Sequence, residues 1–346
     1  MNIVFDCERM KHPYTGLFEY CVQLGKALQT CTAPDDQIIY YVPERYERYF
    51  GNGAGYRIHS AVHRVFPVTV KCADIVHGNP AFIKTAGKAK RIITIHDLNF
   101  LYEKTSPAKI NKYLKIFQHN ADKADAVITI SEYAKNDILN HLTTGNKPVF
   151  VIHNGCNVSE YPDYDAPGYR PATPFLFSVG TVLPKKNFHV LPCLLAHTGY
   201  ELIIAGKGNS DYADKIIDEA KKYNVADRVK LLGAVNDKDK YWYLKHCEAF
   251  LFPSLAEGFG IPPVEAMHFG KPVFLSTKTS LPEIGGKYAY YFDDFAPENM
   301  RAVFEAGMNH YAQTNPIPLI TGHAGRFNWE RSAAAYLNVY KSVLQL

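Results

Sequence analysis

The stretch Ser254-Leu-Ala-Glu257-Gly-Phe-Gly-Ile-Pro-Pro-Val-Glu265-Ala-Met-His-Phe-Gly270-Lys-Pro-Val-Phe274 places two carboxylates eight residues apart around a helix start. Pro262 and Pro263 suit a first helical turn, which needs no amide donors, so a helix opens there and Glu265 is expected in that first turn. Gly270 is a good residue just past a helix end, and Lys271-Pro272 lead into the apolar run Val273-Phe-Leu275. The phrase reads as loop, helix, strand. Free amides of the glycine-rich loop and helix start suit an anionic phosphate, while carboxylates accept hydrogen bonds from sugar hydroxyls. From spacing alone, a plain connection with solvated glutamates fits equally well.

Outward from this phrase the chain keeps the same alternation. Apolar, β-rich runs at Asn2–Phe5, Ile38–Val42, Ile92–Ile95, Ala126–Ile130 and Val149–Ile152 are separated by helical patterns, which predicts an α/β protein with parallel sheets. A second set follows at Phe175–Val179, Glu201–Ala205, Val229–Leu232, Ala249–Phe252, Val273–Leu275 and Ala289–Phe292. Between the sets, residues 161–174 carry four prolines and a glycine and read as a linker. Ligands of such sheets bind beyond the carboxyl ends of the strands. Two residues stand at that place: Lys186, in the loop after Phe175–Val179 and next to Lys185, and His96, directly after Ile92–Ile95. A lysine pair there can offset charge developing on a departing diphosphate. Taken singly, each also fits ordinary loop surface or a structural histidine.

Composition bounds the function. The chain has 346 residues, 47% hydrophobic and 21% charged, enough for two cores. Its seven cysteines are scattered and form no C-x-x-C pair, which argues against a disulfide framework or zinc site and for a reducing, cytoplasmic compartment. The start Met1-Asn-Ile-Val-Phe-Asp6 reads as neither signal peptide nor membrane span. A formal charge of +4 argues against general nucleic-acid binding. The charge is uneven, however: Lys84 to Lys123 holds nine basic residues against three acidic ones. Within it Ser106 and Pro107 signal a helix start, and Ile110, Tyr113, Leu114 and Phe117 form an apolar stripe with Lys109, Lys112 and Lys115 mostly off it. That face fits solvated surface, or a docking surface for anionic lipid or a diphosphate-lipid acceptor at the inner membrane face.

The phrase around Glu257 and Glu265 resembles the E-x7-E signature of the retaining glycosyltransferases of family 4, which have the GT-B architecture. Other phrases match that family in the same order: Ile95-His-Asp-Leu98, Ala124–Glu132, Val151-Ile-His-Asn-Gly155, Val179–Asn187 and Phe327-Asn-Trp-Glu330. The resemblance covers nearly the whole chain. It implies two Rossmann-like domains facing an interdomain cleft: 1–160 on the acceptor side, the linker 161–174, 175–327 for the nucleotide-sugar, and a closing helix in 328–346 that packs back on the first domain. It also implies roles. His96, Lys186 and Glu257 would be catalytic, His96 by hydrogen bonding a sugar hydroxyl and Lys186 by stabilising the leaving diphosphate. Glu265 would hold the ribose. Gly16, Thr181, Lys185, Gly258, Phe259, Gly260, Ile261 and Val235 would complete the donor site.

The sequence departs from the family pattern at three points. Thr181 stands where relatives have a basic residue, Lys185 replaces the arginine of an Arg-Lys-Asn triplet, losing a bidentate fork, and Phe18 replaces the second glycine of Tyr14-Thr15-Gly16-Leu17-Phe18. No cofactor and no metal are expected, only a nucleoside diphosphate sugar as co-substrate and a glycan or lipid-linked acceptor. Asp163-Tyr-Asp165 and Asp237-Lys-Asp239 have the D-x-D form of metal-dependent transferases, but one falls in the linker and the other opens a helix. Ala205-Gly206-Lys-Gly208 lacks the third glycine of a dinucleotide fingerprint. The reading is therefore a metal-independent hexosyltransferase, mannose-type favoured, acting in surface polysaccharide synthesis. Alternatives are a GT-B epimerase or phosphorylase, or an inactive carbohydrate-binding subunit.

Overall fold

The computed structural model describes residues 1–13, 15–64, 73–79, 88–103, 105–208 and 210–346. Tyr14, Lys84 and Lys104, which the sequence reading used, lie outside them. The chain divides into two compact units, Met1–Gly155 with Phe327–Leu346, and Cys156–Arg326.

The first unit holds strands β1 (Asn2–Asp6), β2 (Gln37–Val42), β3 (Gly55–Ile58), β4 (Ile75–Gly78), β5 (Lys90–Ile95), β6 (Ala126–Thr129) and β7 (Val149–Val151), with helices α1 (Gly16–Cys31), α2 (Pro107–Lys123) and α3 (Glu132–His141). All seven strands are parallel, in the order β3-β2-β1-β4-β5-β6-β7. The order reverses between β1 and β4, which makes their carboxyl ends the switch point of this sheet. Strands β3 and β4 carry no long apolar run, and the sequence reading did not find them.

The second unit holds β8 (Phe175–Val179), β9 (Glu201–Ala205), β10 (Val229–Gly233), β11 (Ala249–Phe252), β12 (Val273–Ser276) and β13 (Tyr290–Phe292). Its helices are α4 (Ser210–Lys222), α5 (Asp237–His246), α6 (Ile261–His268), α7 (Leu281–Gly285), α8 (Pro297–Thr314) and α9 (Ile317–Ala324). The sheet is again parallel, β10-β9-β8-β11-β12-β13, with its switch point between β8 and β11. All six strands coincide with the predicted runs to within one or two residues; the central β8, β9, β11 and β12 are almost wholly buried and therefore mostly apolar.

Helix α10 (Trp329–Leu344) belongs to the first unit and lies on α1. Asn328 caps it, its side chain accepting from Arg331 N at 2.8 Å. Trp329, Tyr336, Tyr340 and Val343 join Ile3, Phe5, Tyr20 and Leu24 in one core. Inside that core sits a closed polar cluster: Tyr20 OH bonds Thr94 Oγ1 (3.1 Å) and Tyr336 OH (2.9 Å), and His77 bonds Tyr340 (2.7 Å) and Thr94 (2.7 Å). A buried polar group costs stability unless paired, so this cluster fixes the seat of α10. At Gly155 a Cβ would lie 2.3 Å from Trp329 N, so only glycine lets the strand-side chain pass the helix start.

The predicted linker requires a correction. Residues 161–174 are docked on the second unit, where Glu201 accepts from Ala172 N (2.8 Å) and Thr173 N (3.0 Å), and Tyr164 and Gly168 bond Asp239. Proline and glycine here shape a bound strap, and the chain passes between units at 155/156 and 326/327 instead. Helix α2 begins at Pro107 as predicted, yet Ser106 makes no side-chain cap bond. Leu114 and Phe117 pack on the core formed by Ile93, Ile95 and Val127, while Lys109, Lys112 and Lys115 are exposed. Among the described residues, no helix is long and apolar enough to cross a membrane.

Candidate active site

The loops at the switch point of the second sheet are cross-braced. Gly206, at φ +146°, comes so close to Gly180 that a Cβ would lie 2.0 Å from its carbonyl oxygen, and Gly206 N donates to Gly233 O at 2.6 Å. The ends of β8, β9 and β10 are thereby stitched together by three glycines. The loop after β8 is tied to the loop after β11 through Lys185 O, which accepts from Leu255 N (2.8 Å) and Ser254 Oγ (3.2 Å). Asn187 closes the β8 loop in a left-handed turn, φ 58°, and is buried. Asparagine tolerates that conformation better than most residues, which gives the third member of the Lys-Lys-Asn triplet a structural reason.

Those braces bring Lys186 to Glu257, although they are 71 residues apart, and the two form an ion pair. Lys186 Nζ also lies over the Phe252 ring at 4.7 Å. Glu257 sits in a tight loop, with its N–H donating to Thr279 Oγ1 at 3.0 Å and Ser280 Oγ within donating distance of the carbonyls of Phe259 and Glu257, 2.8 and 3.0 Å, which share its one proton. Gly260, φ +115°, then turns the chain into α6. Thus Gly258, Phe259, Gly260 and Ile261 form the expected Gly-rich entry to a helix.

Glu265 is the fifth residue of α6, one turn inside the helix and not in its first turn as the prolines suggested. It is 6% exposed. One oxygen, Oε1, accepts from Lys240 Nζ at 2.8 Å and Tyr241 OH at 3.3 Å, and Oε2 carries no hydrogen bond among the described residues. Burial alone would lower Lys240, but the Glu265 carboxylate beside it raises its pKa above the ordinary lysine value, so it is charged. Lys240 and Tyr241 are consecutive on α5, whose phase is set by Asn236 accepting from Asp239 N at 2.9 Å. The sequence reading missed both, although it opened a helix at Asp237, three and four residues before them. Val235 and Thr181 lie in the loops after β10 and β8 beside these groups in sequence, and Thr181 is exposed. Of the two D-x-D phrases, Asp165 accepts from Trp242 Nε1 at 3.2 Å and Asp239 holds Tyr164 and Gly168. Both therefore serve the docked strap.

In the first unit, His96 follows β5 and its Nε2 bonds Asn79 Oδ1 at 2.8 Å. An amide oxygen only accepts, so with this amide assignment Nε2 carries the proton. Burial lowers the His96 pKa to about 3, with a contribution from Arg9, so the ring is neutral. A neutral ring whose Nδ1 carries no hydrogen bond among the described residues can act as a hydrogen-bond partner and a weak base. Asp6, at the end of β1, is buried, and desolvation raises its pKa to about 7 despite the Glu8 N–H it accepts at 2.8 Å. Asn79, Asp6 and His96 together line the switch-point edge of this sheet, and of them only His96 was singled out from the sequence. Gly16 is the first residue of α1, where Thr15 caps by accepting from Phe18 N at 3.2 Å, and a Cβ on Gly16 would meet nothing within 4 Å.

Comparison with known proteins follows the same division. Residues 166–304 match the model described as glycosyl transferases group 1, and residues 27–160 the model described as glycosyltransferase family 4. The O-antigen chain mannosyltransferase B of Escherichia coli is 23% identical over 99% of this chain and all of its own length. The serotype-specific mannosyltransferase WbdA of the same organism is 25% identical over 74% of this chain, which spans only 34% of that larger protein. Among solved structures, sucrose-phosphate synthase of Thermosynechococcus elongatus superposes with TM-score 0.75 at 16% identity, covering 100% of this chain and 99% of the other. Anabaena HepE in complex with UDP and glucose gives 0.72 at 15%, covering 99% and 100%. At such identities these two show the shared fold.

Proposed function

We propose, proceeding from the chain's place among the group 1 glycosyltransferases of GT-B architecture, that it moves a hexose, of mannose type, from a nucleoside diphosphate sugar to a growing surface glycan, with retention at the anomeric carbon. The observation that carries this reading is the Lys186–Glu257 ion pair, joining the loops after the switch-point strands β8 and β11, with Glu265 eight residues on in α6. Each group has the chemistry its place requires. Glu265 offers an open carboxylate oxygen to ribose hydroxyls. Glu257 and the amides of residues 258–261 face the donor sugar, and Lys186 exchanges its glutamate partner for diphosphate oxygens, neutralising charge as the leaving group departs.

Retention follows from same-face attack. The bond from C1 to the phosphate oxygen breaks, the acceptor oxygen bonds C1 on the same face, and the acceptor proton passes to the leaving phosphate. Neutral His96 then serves as hydrogen-bond partner to a sugar hydroxyl, since its lowered pKa suits it poorly to take a proton. Lysine fills the role of a divalent ion, so turnover should persist in excess EDTA; complete loss restored by manganese would overturn this assignment. The mannose preference and surface-glycan acceptor draw on the names of the two Escherichia coli relatives. Titration calorimetry with GDP-mannose, UDP-glucose and dTDP-sugars, followed by anomer analysis of the product, tests the reading. Inversion, or no binding of any of them, would sink it. The exposed Lys109, Lys112 and Lys115 supply a membrane-facing patch in the same scheme, each contributing about 1 kcal/mol toward anionic lipid. Replacing all three by glutamate should abolish co-sedimentation with phosphatidylserine vesicles while leaving nucleotide binding intact.

A further inference from the structure

Glu265 is a buried carboxylate whose two oxygens are treated differently. Oε1 accepts from Lys240 Nζ (2.8 Å) and lies 3.3 Å from Tyr241 OH, while Oε2 has no partner among the described residues. A carboxylate offers about four lone-pair sites, two on each oxygen. Those of Oε1 are engaged within the protein. Lys240 is itself confined: its side chain is 20% exposed, its Nζ lies over the Tyr241 ring at 4.4 Å, and it reaches Asp237 at 3.4 Å. Asp237 is largely exposed and so contributes little. Tyr241 OH also lies 3.4 Å from Asn157 O, a second acceptor for the same proton.

We propose that Lys240, with Tyr241, is a positioning residue that fixes the Glu265 carboxylate by occupying Oε1, leaving Oε2 to accept from both ribose hydroxyls, and that the site therefore selects ribonucleoside over 2′-deoxyribonucleoside diphosphates. The inference rests on the donor-site reading of Glu265 and adds to it the device that holds and orients that carboxylate. One oxygen facing two hydroxyls has no spare acceptor to turn elsewhere, so loss of the 2′-hydroxyl leaves a lone pair of a buried anion unmet. A buried charge released from its cation would rotate or take up a different partner, and the selection would go with it.

The test compares binding of GDP and UDP with their 2′-deoxy counterparts by calorimetry, in the full chain. Wild type should favour the ribonucleotide by roughly tenfold or more, as expected for a hydrogen bond to a charged acceptor. In Lys240→Met that ratio should fall close to unity and the donor KM should rise, with kcat at saturating donor kept within a few-fold; Lys240→Arg should restore the ratio. Tyr241→Phe removes a bond without stranding a charge. It should lower the ratio partway, and keeps the test decisive where Lys240→Met fails to fold. A folded Lys240→Met or a Tyr241→Phe chain with the wild-type ratio overturns the proposal, as does a wild type that binds nucleotide without ribose preference. A wild type that binds no nucleoside diphosphate overturns the donor-site reading as well.

Discussion

The two units share a strand order, yet they stabilise the carboxyl ends of their strands by opposite means. In the second unit the loops are held mainly by backbone, through glycines at 180, 206 and 233 and the carbonyl of Lys185, helped by the uncharged hydroxyls of Ser254 and Ser280. The ionisable side chains are thus left to meet one another at the edge, as Lys186 meets Glu257 and Lys240 meets Glu265. In the first unit the corresponding edge is held by side chains. Asp6 accepts its own turn's amide, His96 is bound to Asn79, and behind them His77, Thr94, Tyr20, Tyr336 and Tyr340 tie the sheet to α10. A backbone-braced edge frees charges for chemistry; a side-chain-braced edge spends its polar groups on the fold.

The largest expected effect breaks the comparison most directly. Lys186→Ala should lower kcat by about 10²–10³, the loss typical for removing one preorganised stabiliser of developing negative charge, with donor affinity changed far less. His96→Ala should cost about tenfold, the scale of one neutral hydrogen bond to a sugar. Release of nucleoside diphosphate in the presence of acceptor measures both. Equal losses would mean that the first unit's edge carries as much of the chemistry as the second's.

Acid should separate the units next. Burial lowers His77 and His96 to about 3, so the unfolded chain binds more protons below its own histidine pKa of about 6.5. The stability they lend is complete above about 6.5 and drains as the pH falls toward 3, at about 1.4 kcal/mol per pH unit for each. Asp6 runs the other way: with its folded pKa raised to about 7, its contribution is complete below about 3.9 and is lost as the pH rises through 7. Between pH 6 and 4 it offsets one histidine, leaving a net loss of about 1.4 kcal/mol per unit. In the second unit the half-buried His189 and His268 and the buried His323 are also lowered by desolvation. Each unit holds one of the chain's two tryptophans, Trp329 and Trp242. Melting a Trp242→Phe chain by the fluorescence of Trp329 should show a midpoint that keeps falling from pH 6 to 4. Asp6→Asn should steepen that slope nearly twofold, and a flat profile would refute the account.

Legibility in the sequence divided along the same line. The second unit's strands were found because doubly buried parallel strands are mostly apolar, and Glu257 and Glu265 were found because one local phrase carries both. Lys186 required a resemblance, since its meeting with a carboxylate 71 residues away has no local signature. In the first unit β4 is only Ile-Val-His-Gly, and its histidine, which looks like a strand breaker, is a bonded core residue. The Thr94–Tyr336 contact spans 242 residues. No periodicity encodes a pairing over that distance. The linker was misjudged because prolines mark extended backbone without saying whether it is free or docked, and Glu201, which anchors it, reads as an ordinary strand residue.

The smallest expected effect concerns the turns themselves. Asn187 and Arg48 both have left-handed backbone, φ 58° and 66°, one in each unit. Asn187 is buried where the loop carrying Lys186 closes, whereas Arg48 is exposed on a turn between β2 and β3. An alanine at a left-handed position costs about 1–2 kcal/mol, and glycine relieves it. Asn187→Ala should therefore lower the second unit's stability by about 1 kcal/mol and also reduce turnover, because the position of Lys186 depends on that turn. Asn187→Gly should recover the stability. Arg48→Gly should leave turnover unchanged and lose no stability, since the strain it removes offsets the entropy it adds. Denaturant titration alongside a turnover assay reads both quantities. If Asn187→Ala keeps full activity while losing stability, the turn serves only the fold, and the braced backbone of the second edge extends no further than its glycines.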